Sequence, residues 1–256
     1  MRELPGSQQG DLWTEHKIGR ISASRMKDLM AYNQPTAAQK KEGITQGKES
    51  AARRNYRFEL LSERITKRRK NHYVTPAMEW GIEAEEEAKR AYELATGEML
   101  MPIGFVLHPV YDWAGASPDA LLPQAVYEAK NPESTTFLEW YFSDTVPEDH
   151  YDQIQWQIRC CDNREHGIFH ARDSRQPESI RNLIRMVDKD SARIAELEAE
   201  AIKMNDEVEA MISKLGLPPT VWDVTGNPVV HYVASEAEAM ADLNEMLNRS
   251  IALEGF

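Results

Sequence analysis

The sequence predicts a domain of the α/β or α+β class. Helical patterns and short apolar runs alternate along its 256 residues, in the order helices, strands, helices, strands, helix. That length suits one large domain or two small ones, and 41% hydrophobic residues can fill a sizeable core. No apolar run approaches the roughly 18 residues that a membrane span needs.

Taken in order, each element has a local reason. In KIGRISASRMKDLMAY, Ser22 or Ser24 is a candidate N-cap, and Met26, Leu29 and Met30 supply an apolar helical stripe. Residues 35–47 are polar and punctuated by Gly and Pro, so a loop is expected. Residues 48–70 have helical spacing through Tyr56, Leu60 and Ile65. Pro76 begins a helix that runs to about Thr96, where Gly97 ends it. MPIGFVLHP, WAGASPDALL and AVYEAK are short apolar runs that read as consecutive strands. Residues 136–143 and 149–161 read as helices and GIFHARD as a strand. From 180 to 215, Ile180, Val187, Ile194, Ala201, Val208 and Leu215 recur every seven residues, the pattern of one long coiled-coil helix. The cluster Asp188–Ser191 is a helix start, however, and favours a strand at 182–187 followed by a helix from Ser191 to Leu215. Beyond Pro218 and Pro219, a hairpin around Gly226 and a helix over 235–252 are expected. The boundaries are thus 1–216 for the main domain and 217–256 for a helical C-terminal extension.

Charge and cysteine usage narrow the function. The chain holds 30 Lys and Arg against 42 Asp and Glu, a net charge of −12, which argues against a non-specific nucleic-acid coat. Basic residues nevertheless concentrate in one segment: Arg53, Arg54, Arg57, Arg64, Lys67, Arg68, Arg69 and Lys70, offset by Glu59 and Glu63. Arg53, Arg54 and Arg57 are candidate contacts to a phosphate backbone; a solvated helix face is the alternative. The two cysteines, Cys160 and Cys161, are adjacent and too few for a disulfide framework or a cysteine-built metal cluster. No secretory signal pattern stands at the start, so a cytoplasmic protein is expected.

The chemistry concentrates in SPDALLPQAVYEAK. Strand periodicity puts Glu128 and Lys130 on one face, and a hairpin would return Asp119 beside Glu128. Two carboxylates that close repel unless a divalent cation lies between them, and oxygen ligands suit Mg²⁺ or Mn²⁺. A lysine beside such an ion can hold or help deprotonate a water that attacks a phosphodiester. An exposed hairpin with a Glu128–Lys130 salt bridge is the plainer reading. Upstream, Gly81, Glu85, Ala88 and Tyr92 share a helix face, so Glu85 stands among small and apolar neighbours. It either completes the acidic site or pairs with Lys89 four residues on.

Four ordered blocks then carry a resemblance: W-x3-K-x-G-x-I-S-A-S from Trp13 to Ser24, E-W-G-x3-E with A-K-x2-Y-E-x2-T-G from Glu79 to Gly97, G-A-S-P-D with E-A-K, and D-Q-I-Q from Asp152 to Gln155. In these the chain resembles the lambda exonuclease and YqaJ-type viral recombinases of the PD-(D/E)xK nuclease superfamily. The resemblance implies a restriction-endonuclease-like core with a mixed central sheet flanked by helices. It implies Glu85, Asp119, Glu128 and the carbonyl of Ala129 as metal ligands, Lys130 as the catalytic lysine and Gln153 as an active-site glutamine. Lys17, Ser24 and Ser117 match a pocket for a 5′-phosphate. Lys17 stands where arginine is usual, which keeps the charge and loses bidentate binding, and Ala120 stands where glycine is common.

The implied activity is a Mg²⁺-dependent (Mn²⁺ is the other candidate) 5′→3′ exonuclease on linear double-stranded DNA, with two ions per site. A ring-shaped trimer, a single-strand annealing protein as partner, and a phage or prophage origin in a bacterial host are implied with it. A repair or restriction endonuclease on the same core, or a non-catalytic DNA-end scaffold, are the alternatives. Trp80, Trp113, Trp140 and Trp156 are expected in the core or at subunit contacts.

Overall fold

The computed structural model describes residues 1–4, 11–68, 76–161, 163–222 and 228–229, and the side chains of 11–12 and 76–83 are outside the description. Strand β1 (Arg2–Glu3) leads to helix α1 (Asp11–Lys17), strand β2 (Ile21–Ser22), a 3₁₀ turn at Ala23–Arg25 and helix α2 (Met26–Leu29). Ser22 takes the N-cap position of that turn, but its side chain makes no capping bond. The expected loop at 35–47 is interrupted by helix α3 (Ala37–Lys41). Thr36 and Gln39 close a reciprocal capping box there, which stabilises a helix with no buried residue.

Helix α4 (Ala51–Thr66) starts on Ser50, whose hydroxyl accepts from Arg53 N, and stops at Lys67 in the left-handed region (φ 54°). Helix α5 (Pro76–Thr96) has the expected bounds, with Gly97 left-handed behind it. There follow β3 (Val106–Leu107), β4 (Ala114–Ala116), β5 (Ala120–Leu121), β6 (Ala125–Lys130), α6 (Ser134–Phe142), α7 (Glu148–Cys160), β7 (His166–Arg172) and β8 (Asn182–Asp188). Helix α8 (Ser191–Lys214) is separate from β8, as the helix-start cluster implies. Asp190 caps it by accepting from Arg193 N at 2.9 Å. A short antiparallel pair, β9 (Val221–Trp222) and β10 (Pro228–Val229), supplies the hairpin; the helix expected at 235–252 lies outside the described residues.

The sheet is mixed, as expected, but divided in two. One sheet runs β1-β3-β4-β2 and the other β5-β6-β7-β8. β2 lies parallel to β4 and β6 parallel to β7, and the remaining neighbours in both sheets are antiparallel. WAGASPDALL is therefore not one strand. Proline has no N–H to give a ladder, and at Ser117-Pro118-Asp119 the chain leaves β4 in one sheet and enters β5 in the other.

Helix α7 fills the angle between the sheets. Trp156 is fully buried and donates to Gly115 O at 3.1 Å. Against the second sheet, Ile154 lies where a Cβ on Gly167 would be, 2.2 Å from its Cγ2. Only glycine admits the helix this close. Gly167→Ala is expected to cost about 1–3 kcal/mol by overpacking, read as a lower midpoint in denaturant; an unchanged midpoint would contradict the contact. Cys160 and Cys161 are buried.

The packing of α4 on α8 gives acidic partners to several arginines of the basic segment. Arg53 is 1% exposed and bonds Glu207 at 2.9 Å and Glu200 at 3.4 Å; Arg57 bonds Glu207 at 2.9 Å and Glu49 at 2.7 Å. Arg64 is buried and reaches Glu209 at 2.8 Å. Arg53 is thus paired with acids inside the fold, and the partly exposed Arg57 is paired as well, through acids of α8 and through Glu49. Arg54 is exposed on the same helix. Trp222 of β9 lies against the guanidinium groups of Arg20 (4.4 Å) and Arg64 (5.5 Å), which ties the start of the extension to the body.

Candidate active site

The hairpin of β5 and β6 pairs Ala120 with Tyr127 and so brings Asp119 beside the acidic strand. Asp119 N donates to Tyr127 O at 3.1 Å, and its carboxylate accepts from Ala129 N at 2.7 Å. Glu128, 2% exposed, accepts at Oε1 from Lys130 Nζ and from Gln153 Nε2 (2.7 Å), and at Oε2 from Gln157 Nε2 (2.5 Å). Asp119, Glu128, Lys130 and Gln153 are therefore one group. Gln157 was not legible as part of it; the one signal is its place a single helical turn after Gln153.

Electrostatics mark the centre of the group. Burial, reinforced by the negative fields of Glu128 and Glu85, pushes the Asp119 pKa well above the usual 3.8. Burial works against the charge of Lys130, but Glu128 and Asp119 outweigh it and hold its pKa above the ordinary 10.5. Lys130 is an ammonium throughout the neutral range. His150 is driven down to about 4 by burial and by Lys130, so its ring is neutral. It stacks on Phe169 with centroids 5.5 Å apart and meets Trp140 edge-on at 5.1 Å.

Glu85 projects from α5 and is partly buried, yet its carboxylate pairs with Lys89 at 2.7 Å. The pair with Lys89 forms, and the charge of Glu85 adds to the negative field at Asp119. Among the described residues no group of three His, Cys, Asp or Glu side chains stands ready to hold a metal ion. Glu85 is turned to Lys89 and Glu128 to Lys130. The donor set still suits a hard divalent cation. An Asp119 carboxylate that burial and two acids make costly to ionise is relieved by positive charge, and Ala129 O and the carboxylates are oxygen donors.

Residues of the first sequence block meet the segment just before Asp119. Trp13 Nε1 donates to Ser117 Oγ at 2.7 Å, and Lys17 Nζ lies 3.4 Å from the centre of the Trp13 ring. Pairing of Ser22 with Gly115 joins β2, two residues before the exposed Ser24, to the strand that ends at Ala116, just before Ser117. Ser117 and Asp119 flank Pro118, so the block and the acidic group are continuous in chain. Trp113 and Trp140 are partly buried against the core, and Trp80's side chain is outside the description.

Residues 12–164 match the family model for the YqaJ-like viral recombinase domain. The chain belongs to that family. No curated protein matches it. Among solved structures, this family member is similar to the alkaline exonuclease LHK-Exo of Laribacter hongkongensis. Identity is 29% and the TM-score 0.70, over 81% of this chain and 96% of that one. LHK-Exo in complex with dAMP gives the same identity and score over 80% and 96%. A phage-related exonuclease of Haemophilus somnus 129PT, at 12% identity, shares the fold with a TM-score of 0.60 over 77% and 96%. The architecture of this YqaJ-like chain is that of the PD-(D/E)xK-type exonucleases, as the resemblance implied. Every candidate site residue named above lies inside the matched span. Among the described residues no helix is long and apolar enough to cross a membrane.

Proposed function

We infer that the chain is a divalent-metal-dependent exodeoxyribonuclease. It hydrolyses one strand of a linear duplex from a 5′-phosphorylated end and leaves a 3′ single strand for recombination. The observation that carries this reading is the adjacency of two groups across Pro118. One is the acidic cluster with Lys130, and the other is the Trp13–Lys17–Ser117 block. The likeness to an alkaline exonuclease at 29% identity supports it.

Asp119, Glu128 and the Ala129 carbonyl would hold the cation, with Glu85 joining once it leaves Lys89. A bound Mg²⁺ or Mn²⁺ supplies Lewis-acid stabilisation of the charge that develops on the phosphate; two ions per site remain part of this proposal. Lys130, kept protonated by Glu128 and Asp119, presents N–H donors and a positive charge to the attacking water and the scissile phosphate. Gln153 keeps Glu128 turned toward the site. Lys17, Ser24 and Ser117 bind the terminal phosphate with one cation and two hydroxyls. A ring-shaped trimer, an annealing-protein partner and a bacterial cytoplasmic location complete the proposal, with 1–216 as the nuclease domain and 217–256 as an extension packed on it.

The test uses end-labelled linear duplexes carrying a 5′-phosphate or a 5′-hydroxyl, and a closed circle, each with Mg²⁺. Digestion of the phosphorylated duplex, slower loss of the hydroxyl form and an intact circle are expected. Cutting of the circle would establish an endonuclease instead, and end binding without cutting would leave a scaffold. Light scattering at micromolar concentration checks the trimer, which a monomer would exclude.

A further inference from the structure

Helix α7 carries glutamines at 153, 155 and 157, and the structure gives them unlike tasks. Gln155 is spent on the backbone: its Nε2 donates to Asp188 O at 2.8 Å and its Oε1 accepts from Asp190 N at 2.8 Å. It joins β8 to the start of α8. Gln153 and Gln157 lie one turn apart on the helix face that looks at β6, and each donates to a different oxygen of Glu128. Ile154 shares that face and occupies the space Gly167 leaves, so the helix sits close enough for both amides to reach.

Gln157 is wholly buried, and its Oε1 has no hydrogen-bond partner. A buried amide oxygen without a partner costs about 1–3 kcal/mol. Packing alone would favour an apolar residue here; what the amide adds is a donor to the buried Oε2 of Glu128. The amide N–H is what the site uses. With Lys130 and Gln153 on Oε1 and Gln157 on Oε2, the Glu128 carboxylate is held at both ends. The orientation of Oε2 is thereby fixed.

We propose that Gln157 is a positioning residue that fixes Oε2 of Glu128 for a divalent cation. The inference rests on the metal-site reading given above and adds to it a residue that the four sequence blocks do not include. It acts through Glu128 and not by touching DNA.

The test compares full-length wild type with Gln157→Leu and Gln155→Leu, using Mn²⁺ alone as the probe. Free Mn²⁺ is followed by electron paramagnetic resonance, and melting is recorded in EDTA. Loss of a residue that orients a ligand typically weakens metal binding about 10–100-fold. Gln157→Leu is expected to raise the Mn²⁺ Kd at least about tenfold on that scale, with a melting temperature no lower than that of Gln155→Leu, since the only donor it removes is the one on the buried Oε2 of Glu128. Gln155→Leu is expected to melt lower with the Mn²⁺ Kd unchanged. An unchanged Kd in Gln157→Leu overturns the proposal. An equal loss in Gln155→Leu also overturns it, because loosening of α7 would then be the cause. If the wild type binds Mn²⁺ but cuts no DNA, the nuclease reading fails and the comparison still decides the role of Gln157. If the wild type binds no Mn²⁺, both fall.

Discussion

Lys130→Ala is expected to abolish cutting of the 5′-phosphorylated linear duplex, by about 10²–10⁴-fold in kcat, while DNA-end binding persists. The lysine stands between Glu128, to which it donates, and Asp119, whose negative field helps keep it protonated. Removing it takes away the one cation that the second sheet places in the acidic group, so charge developing on the phosphate loses its nearest counter-charge. Gel assays under single-turnover conditions measure this directly. A variant retaining more than about a tenth of the rate would show that Lys130 is a structural partner of Glu128 only. Lys130→Arg separates the two roles further, because the wider guanidinium keeps charge but not the compact donor.

Asp119→Asn is expected to be as inactive as Lys130→Ala and, in EDTA, more heat-stable than the wild type. Burial, with Glu128 and Glu85 nearby, raises the folded-state pKa of Asp119 above its ordinary 3.8. The folded protein therefore binds this proton more tightly than the unfolded chain does. Its stabilising contribution is full below pH 3.8 and is lost as pH rises through the raised folded value. The neutral amide removes that penalty. At neutral pH each kcal/mol relieved corresponds to about 2–4 °C in Tm for a chain of this size. Melting curves in EDTA from pH 4 to 8 should show the wild type falling relative to the variant. Parallel curves would mean that Asp119 ionises without cost. Adding Mg²⁺ should close the gap from the wild-type side, because only the carboxylate gains from the cation.

Local chemistry was legible and long-range partnership was not. Pro76 and Gly97 bound α5, and Asp190 with Ser191 separates β8 from α8, because proline, glycine and capping residues act within a few positions of themselves. Asp119, Glu128 and Lys130 were found because strand alternation and one tight hairpin place them. The fate of Arg53 and Arg57 was decided by Glu207, about 150 residues away, and no local pattern in a basic helix announces an acidic helix that will cover it. The division of WAGASPDALL between two sheets was hidden for a similar reason. An apolar run broken by one proline reads as a kinked strand until the partners of each half are known. For Glu85 the local signal was its lysine at i+4, and that pair is what forms.

The crossing at Pro118 has a further consequence for an enzyme of this kind. Ser117 closes the end of one sheet and Asp119 opens the other, with a single rigid residue between them. On the function proposed above, the place where a strand's end is gripped and the place where it is severed would be separated by a fixed span of the scaffold. The fragment released at each turnover would then be measured by the protein, as by a ruler, and its size would not depend on the sequence being digested.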